Sequence, residues 1–164
     1  MSRAPGISGE AFLDLAAESV PFVAALGCRI ERFEAGALTI RLPYADRLLR
    51  PGGTVCGPAL MALADIALWG LVMSVLGRIE LAVTTDLSFH FLRRPAPVDV
   101  LADARLLKLG SRLAVGEVTM RSDGDPHPIC HAIGTYALPR DTAGGAAGTP
   151  APGRPGVDRT GRSA

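Results

Sequence analysis

One apolar segment limits what this chain can fold into more than any other feature. Residues 58–76 are almost wholly apolar and are about long enough to cross a bilayer as a helix. Asp65 lies near the middle of this segment, and a carboxylate there costs roughly 3 kcal/mol on membrane insertion. A helix that is apolar on every side also suits the buried centre of a small domain. We therefore predict a core helix that begins near Pro58 and ends at Gly77, with no membrane partner.

The composition is that of one soluble globular domain. The chain has 164 residues, of which 48% are hydrophobic and 20% are charged, and its net charge is +1. This length suits a single domain, and the small charge gives no electrostatic field for nucleic acid. The three cysteines lie far apart, and residues 1–9 lack the pattern of a signal peptide. These features favour reduced thiols and a cytoplasmic location.

Helical signals precede the core helix. Ser8 is a suitable N-cap for a short helix that runs to about Ala16. A second short helix is predicted at residues 21–26, with Gly27 as its stop signal. Residues 44–54 are predicted to form a loop. After residue 140 the composition changes to Ala, Gly, Pro, Thr and Arg, which predicts a disordered tail.

Six segments have the features of β-strands, four of them after the core helix. The strand-like segments are residues 28–33, 37–42, 81–92, 98–109, 112–121 and 129–138. In the third segment apolar and polar residues alternate, which is the period of a strand with one buried face. Simple alternation places Thr85 on that face. Thr84 reaches it only through a bulge or a cleft open on two sides.

This order of elements predicts an α+β hot-dog fold, in which a curved antiparallel sheet wraps the central helix. One sheet covers only part of a helix that is apolar all round, so a second copy of the chain is expected to cover more of it. We assign residues 1–27 to an N-terminal helical segment of the domain, 28–139 to the hot-dog domain and 140–164 to the tail.

Several segments resemble the PaaI-type (phenylacetate-pathway) hot-dog thioesterases. The family pattern of a glycine, His-Gly-Gly at the helix start and Leu-Ala-Asp inside the helix matches residues 53–65. Residues 83–87 and 91–95 resemble the family's valine–threonine strand, which ends in Phe-Leu-Arg-Pro. Residues 110–112 and 132–136 fit its last two strands. The resemblance covers about residues 26–139.

The resemblance implies an acyl-CoA thioesterase with no cofactor besides the CoA of its substrate. Asp65 would be the general base or nucleophile, the Gly57 amide would polarise the thioester carbonyl, and Thr84 would orient water. The positions suit these roles, since a helix start presents free N–H groups and Pro58 has none to offer. The alternatives are a structural carboxylate at Asp65 and a glycine that only permits a turn.

Three positions depart from the family pattern. Its histidine falls on Cys56, its second glycine on Pro58 and an upstream asparagine on Arg50. We interpret Cys56 as a small packing residue beside the pocket, although a helix N-terminus also activates thiols. The predicted substrate-binding residues are Arg50, Cys56, Arg93, Arg94, Gly110, Ser111 and Arg112. The arginines suit CoA phosphates, or are simply solvated.

Other functions and ligands are less favoured by the sequence. A non-catalytic acyl-CoA or CoA binding module remains the alternative, because of Cys56 and Pro58. A hot-dog hydratase is disfavoured because residues 66–77 contain no histidine. His127 and His131 are separated by Pro128 and have no further ligands at suitable spacing, so no metal site is predicted. The resemblance implies a homodimer or a dimer of dimers, with the active site at the subunit interface.

Overall fold

The computed structural model describes residues 4–139. The elements in chain order are α1 (Gly9–Ser19), α2 (Pro21–Leu26), β1 (Arg29–Glu34), β2 (Ala37–Leu42), a 3₁₀ turn (Asp46–Leu48), β3 (Leu49–Arg50), β4 (Thr54–Val55), α3 (Gly57–Leu76), β5 (Val83–Phe91), β6 (Val100–Leu109), β7 (Leu113–Ser122) and β8 (Pro128–Ala137). The predicted tail lies outside the described residues.

Six strands form one antiparallel sheet in the order β1-β2-β6-β7-β8-β5. α3 packs across one face of this sheet, and its Leu63 and Leu71 meet a core that includes Leu38 and Ile40 of β2, all four almost completely buried. A curved antiparallel sheet with one long central helix is the hot-dog fold, so the predicted fold class is confirmed.

Two paired glycines let α3 lie close to the sheet. Gly116 of β7 and Gly134 of β8 are register partners. A Cβ atom at Gly116 would lie 2.6 Å from Leu71 Cδ2, and one at Gly134 would lie 2.4 Å from Leu68 Cδ1. Both distances are too short for real contacts, so a side chain at either position would force the leucine side chains of α3 to move within a packed core.

The segment with membrane-like composition is the core helix of a soluble fold. α3 is long and apolar enough to span a bilayer, but 67% of its most hydrophobic window of 18 residues is buried within the protein. α1 packs against both α3 and β1, with Phe12 in an edge-to-face contact with Trp69 of α3 and stacked on Phe33 of β1.

The predicted helix signals are confirmed. Ser8 caps α1 by accepting a hydrogen bond from the Ala11 amide at 3.1 Å, and Gly27 ends α2 in the left-handed conformation, with φ of 67°. The loop predicted at residues 44–54 contains short regular elements. That segment contains the 3₁₀ turn and the two-residue pairing of β3 with β4, which leads directly into α3.

Candidate active site

Asp65 lies half-buried in the middle of α3 and is held by two hydroxyl groups from the sheet. Its Oδ1 accepts hydrogen bonds from Thr84 Oγ1 at 2.7 Å and from Tyr136 Oη at 2.8 Å. Tyr136 Oη also lies 3.0 Å from the main-chain oxygen of Asp65. Among residues 4–139 no hydrogen bond reaches Oδ2. One carboxylate oxygen is therefore anchored, and the other is available to take a proton or to attack.

A bulge in β5 brings Thr84 to this carboxylate. The pairing of β5 with β8 shifts between Thr84 and Asp86, so that Thr85 is an extra residue in the strand. Thr84 then pairs with Tyr136 and faces α3, whereas the Thr85 hydroxyl donates to the Thr135 carbonyl. The simple alternation that placed Thr85 on the apolar face is wrong here, and the bulge considered as the alternative is present.

Tyr136 is a site residue that sequence reasoning missed. It is only 4% exposed, and its hydroxyl finds its partner in Asp65, as a buried tyrosine requires. Burial, followed by the nearby charge of Asp65, raises the pKa of Tyr136 far above its usual range. The hydroxyl therefore stays protonated at neutral pH and acts as a donor. Tyr136 lies two residues after Gly134 on β8, and residues two apart share one face of a strand. This inward position was the signal in the sequence that could have identified Tyr136.

The start of α3 forms a second part of the site. Cys56 is the N-cap and makes no side-chain capping bond, and Gly57 is the first residue of the helix. As the first helical residue, Gly57 has an N–H group without a partner inside the helix. A Cβ atom at this position would lie 3.2 Å from Phe91 Cζ, so the end of β5 runs close beside the Gly57 main chain.

Three of the predicted arginines surround a cavity next to Gly57. Arg50, Arg93 and Arg94 line it together with Gly57 and Phe91, and its volume is about 690 Å³. Arg94 also donates to the Gly52 carbonyl, which ties the end of β5 to the loop before β4. The cavity is wide and positively charged on one side, as an anionic ligand would require.

Within one chain the predicted site residues fall into two groups. Gly57, Arg50, Arg93 and Arg94 lie at the Phe91 end of β5. Asp65 and Thr84 lie at its other end. Gly110, Ser111 and Arg112 form the turn between β6 and β7, on the same side as Asp65, because Leu113 and Val83 both pair with Ala137.

The histidines lie apart from these two groups. His90 and His131 are cross-strand partners, and His131 Nε2 lies 3.3 Å from Glu117 Oε2. His127 lies 2.8 Å from Asp125 in the turn before β8. Within residues 4–139 no group of three or more histidine, cysteine or acidic side chains is placed to hold a metal ion.

The comparisons with known proteins agree with this geometry. A family model described as the thioesterase superfamily matches residues 52–129. A predicted esterase of Halobacterium salinarum is 31% identical over 126 residues, which cover 71% of this chain and 83% of the relative. The chain belongs to the thioesterase superfamily.

Solved structures support the same assignment. The crystal structure of a predicted thioesterase from Silicibacter is 40% identical, with a TM-score of 0.75, and the match covers 82% of this chain and 94% of that one. A variant of the phenylacetic acid degradation protein PaaI from Thermus thermophilus is 26% identical, with a TM-score of 0.64, and the match covers 72% and 98%. The predicted resemblance to PaaI-type hot-dog thioesterases is confirmed, and thioester hydrolysis is the general activity of this superfamily member.

Proposed function

We propose that this protein hydrolyses acyl-CoA thioesters in the cytoplasm and that Asp65 is its catalytic carboxylate. The observation that carries the proposal is the asymmetric bonding of that carboxylate, with Oδ1 held by Thr84 and Tyr136 and Oδ2 free. Two hydroxyl donors on one oxygen hold the carboxylate in place on an otherwise apolar core helix. The free oxygen supports a chemical role rather than a purely structural one.

The reaction follows from these groups in one of two ways. As a general base, Asp65 Oδ2 removes a proton from water while the water oxygen attacks the thioester carbonyl carbon. As a nucleophile, Oδ2 attacks that carbon itself, and water then hydrolyses the resulting anhydride. In both routes the C–S bond breaks and CoA leaves as its thiol after taking up a proton. The Gly57 N–H would stabilise the oxyanion formed on the carbonyl oxygen.

The active site is proposed to form between two chains. Gly57 and Asp65 are eight residues apart in α3, which separates them by about 12 Å along the helix axis. Oxyanion donor and base must lie closer together than that to act on one carbonyl. One chain therefore does not supply both groups to the same thioester.

We propose that two chains pair through the exposed edge of β5. Within residues 4–139, β5 pairs with β8 alone, and most of its residues are exposed. An unpaired strand of nine residues is a template for another strand. Antiparallel pairing of two β5 strands about their middle residue, Leu87, would set Val83 opposite Phe91 of the partner subunit, with Thr84 next to that pair. Asp65 and the turn at residues 110–112 of one chain would then face the Gly57 end of the other.

The arginine-lined cavity is the proposed site for the CoA phosphates. Guanidinium groups bind phosphate with paired, charge-assisted hydrogen bonds, and Arg50, Arg93 and Arg94 share this cavity with Gly57. A CoA anchored there would direct its thioester towards the Gly57 amide. Arg112, Gly110 and Ser111 would approach the same CoA from the partner subunit.

The test is a panel of acyl-CoAs incubated with the full chain, with release of free CoA followed by a chromogenic thiol reagent. We expect release from at least one member of the panel, and we expect it to fall to background in the Asp65→Asn variant. A protein that binds acyl-CoA in calorimetry but releases thiol from no member would instead be the non-catalytic binding module. The binding module is the second candidate function, because Cys56 and Pro58 occupy the positions of the family's histidine and glycine.

A further inference from the structure

Two histidines lie side by side on the outer face of the sheet, away from α3 and from Asp65. His90 of β5 and His131 of β8 are register partners. Cys130 and Ala132, the neighbours of His131 along β8, are almost completely buried in the core, so both imidazole rings extend from the opposite face. Directly opposed side chains of an antiparallel pair have Cβ atoms about 4.5–5.5 Å apart. The two rings can therefore offer nitrogen ligands to one divalent metal ion.

A carboxylate already orients one of these rings. His131 Nε2 lies 3.3 Å from Glu117 Oε2, and Arg105 donates to the other oxygen of Glu117. Because a carboxylate only accepts, the neutral ring carries its hydrogen on Nε2 and leaves the lone pair of Nδ1 for a metal ion. Metal-binding histidines commonly donate their other ring nitrogen to a carboxylate in this way. The ring of His90 is exposed and has no hydrogen-bond partner in the part of the chain that the structure describes.

The pairing of two β5 strands brings a third ligand to these histidines. Asp86, Ser88 and His90 occupy every second position of β5 after the bulge, so all three extend from the outer face. Pairing about Leu87 sets Asp86 of the partner subunit opposite Ser88. His90 is then the diagonal neighbour of that carboxylate, at about 7–8 Å, a separation that two side chains span through a shared metal ion.

We propose that His90 and His131 of one chain and Asp86 of the partner subunit bind Zn²⁺ across the paired β5 strands. Two imidazoles and one carboxylate, with water in the remaining position, are a ligand set that Zn²⁺ accepts. The two-fold axis gives each dimer two such sites. The inference rests on the proposed function, because it requires the β5 pairing that completes the active site.

The proposed ion acts on assembly and not on the thioester. It lies on the face of the sheet opposite to α3, so it has no contact with the substrate or with Asp65. An ion with ligands from both chains binds the dimer more tightly than either free chain, and its binding therefore shifts the equilibrium towards the dimer. Zinc would raise the fraction of chains that have a complete active site.

The test measures the dissociation constant of the dimer by fluorescence-detected sedimentation of the full chain, with and without zinc chloride. We expect zinc to lower this constant by about tenfold or more, since a free ion at ten times the Kd of one site multiplies the association constant by about that factor. Where the dimer is too tight to dissociate, zinc should slow the exchange of subunits between two differently tagged populations. His90→Gln, His131→Gln and Asp86→Asn should each remove most of the response and leave the metal-free dimer nearly unchanged.

His127→Gln provides the matched control, because its ring pairs with Asp125 in the turn before β8, outside the proposed site. This variant should keep the full zinc response. The bridging site would be overturned if calorimetry detected no zinc binding, or if zinc bound without strengthening the dimer. A response that Asp86→Asn keeps in full would equally remove the partner's carboxylate from the site.

Thiol release separates this inference from the proposed function. The assay uses a protein concentration at which about half of the chains are monomers. Cleavage of acyl-CoA at the same rate with and without zinc would sink the metal site and leave the proposed function standing. A dimer that zinc strengthens through Asp86, but that cleaves no thioester, would keep the metal site and remove the proposed activity.

Discussion

At the scale of single residues, the proposed mechanism depends on one carboxylate, Asp65, and the two hydroxyl groups that donate to it. Asp65→Asn replaces the carboxylate by an amide of the same shape, which can neither take a proton from water nor attack a carbonyl. We expect kcat to fall by roughly 10²-fold or more, the usual weight of acid–base catalysis, with the circular dichroism spectrum and melting temperature nearly unchanged. A well-folded variant with near wild-type turnover would remove Asp65 from the mechanism.

Cys56 gives the contrasting prediction. It lies at the N-cap of α3 without a side-chain capping bond, so replacing its thiol by a hydroxyl should cost little structure. We expect Cys56→Ser to keep kcat within about threefold of the wild type, since a packing residue contributes no group to the reaction and small surface changes cost at most about 0.5 kcal/mol. Complete loss of thiol release would favour a thiol nucleophile instead.

Tyr136 and Thr84 are the two donors to Asp65 Oδ1, and each can be removed without the other. Tyr136→Phe removes one donor from Oδ1 and keeps the ring that fills the core. The carboxylate is then held by Thr84 alone, so we expect kcat for thiol release to fall by about tenfold or more, the usual weight of a hydrogen bond to a charged group. Because the pKa of Tyr136 is raised, the wild-type kcat–pH profile should show no alkaline limb from this group below about pH 10.

The same measurement on Thr84→Val gives the control for this prediction. It removes the other donor, so it should lower kcat to a similar extent. A Tyr136→Phe variant that loses stability but keeps the wild-type kcat would show that the hydroxyl only supports the fold. Each bond to a charged group is worth about 1.5–3 kcal/mol, which rate measurements resolve.

At the scale of elements, the sequence allowed α3 and the six strands of the main sheet to be placed within about two residues of their observed bounds. The reason is that period-two and all-apolar patterns report directly which faces are buried. The same pattern was misleading at Thr85, because a bulge changes the face of a side chain without changing the order of apolar residues.

The contact between Asp65 and Tyr136 also could not be predicted from the sequence. The two residues are 71 positions apart, and their meeting depends on strand register and on the close approach of α3 to β8. Asp65, Gly57 and Thr84 could be proposed from the sequence because the family pattern marks their positions. Tyr136 was quoted in that pattern only as part of a strand, with nothing local to suggest its partner.

The close packing of α3 on the sheet gives a prediction at this scale. Gly134→Val adds a branched side chain whose Cβ atom alone would lie 2.4 Å from Leu68 Cδ1. Leu68 is almost completely buried. We expect the free energy of unfolding in urea to fall by about 1–3 kcal/mol, as for other overpacked cores. Ile133→Val, the adjacent residue on the outer face, should change it little. Equal stability of the two variants would mean that α3 and the sheet do not pack as described.

At the scale of the whole molecule, the domain should not depend on the residues after Arg140. Their composition of Gly, Ala, Pro and Thr has no apolar period that could pack on the sheet. A chain that ends before Asp141 should keep its melting temperature within about 2 °C and its activity within about twofold, since even 1 kcal/mol shifts the melting temperature by more than that in most small domains. A fall of several degrees would show that the tail packs against the domain.

The proposed active site is complete only when two chains associate. Variants of Gly57 test the role of its N–H group in that site. Gly57→Pro deletes the N–H at the first helical position, where proline is tolerated, and the extended backbone of Cys56 suits the residue before a proline. Gly57→Ala keeps the N–H while adding the same Cβ contact with Phe91. We therefore expect Gly57→Pro to be inactive and Gly57→Ala to retain activity.

Mixing inactive chains then decides whether the site is shared. A heterodimer of an Asp65→Asn chain and a Gly57→Pro chain has one interface site with both groups intact and one with neither. Such heterodimers, purified through two different affinity tags, should regain about half of the wild-type activity per dimer. Heterodimers of Asp65→Asn with the double variant, which contain no intact Asp65, should stay inactive. If Asp65 and Gly57 of the same chain acted together, neither mixture would recover thiol release, and the long exposed edge of β5 would need a different explanation.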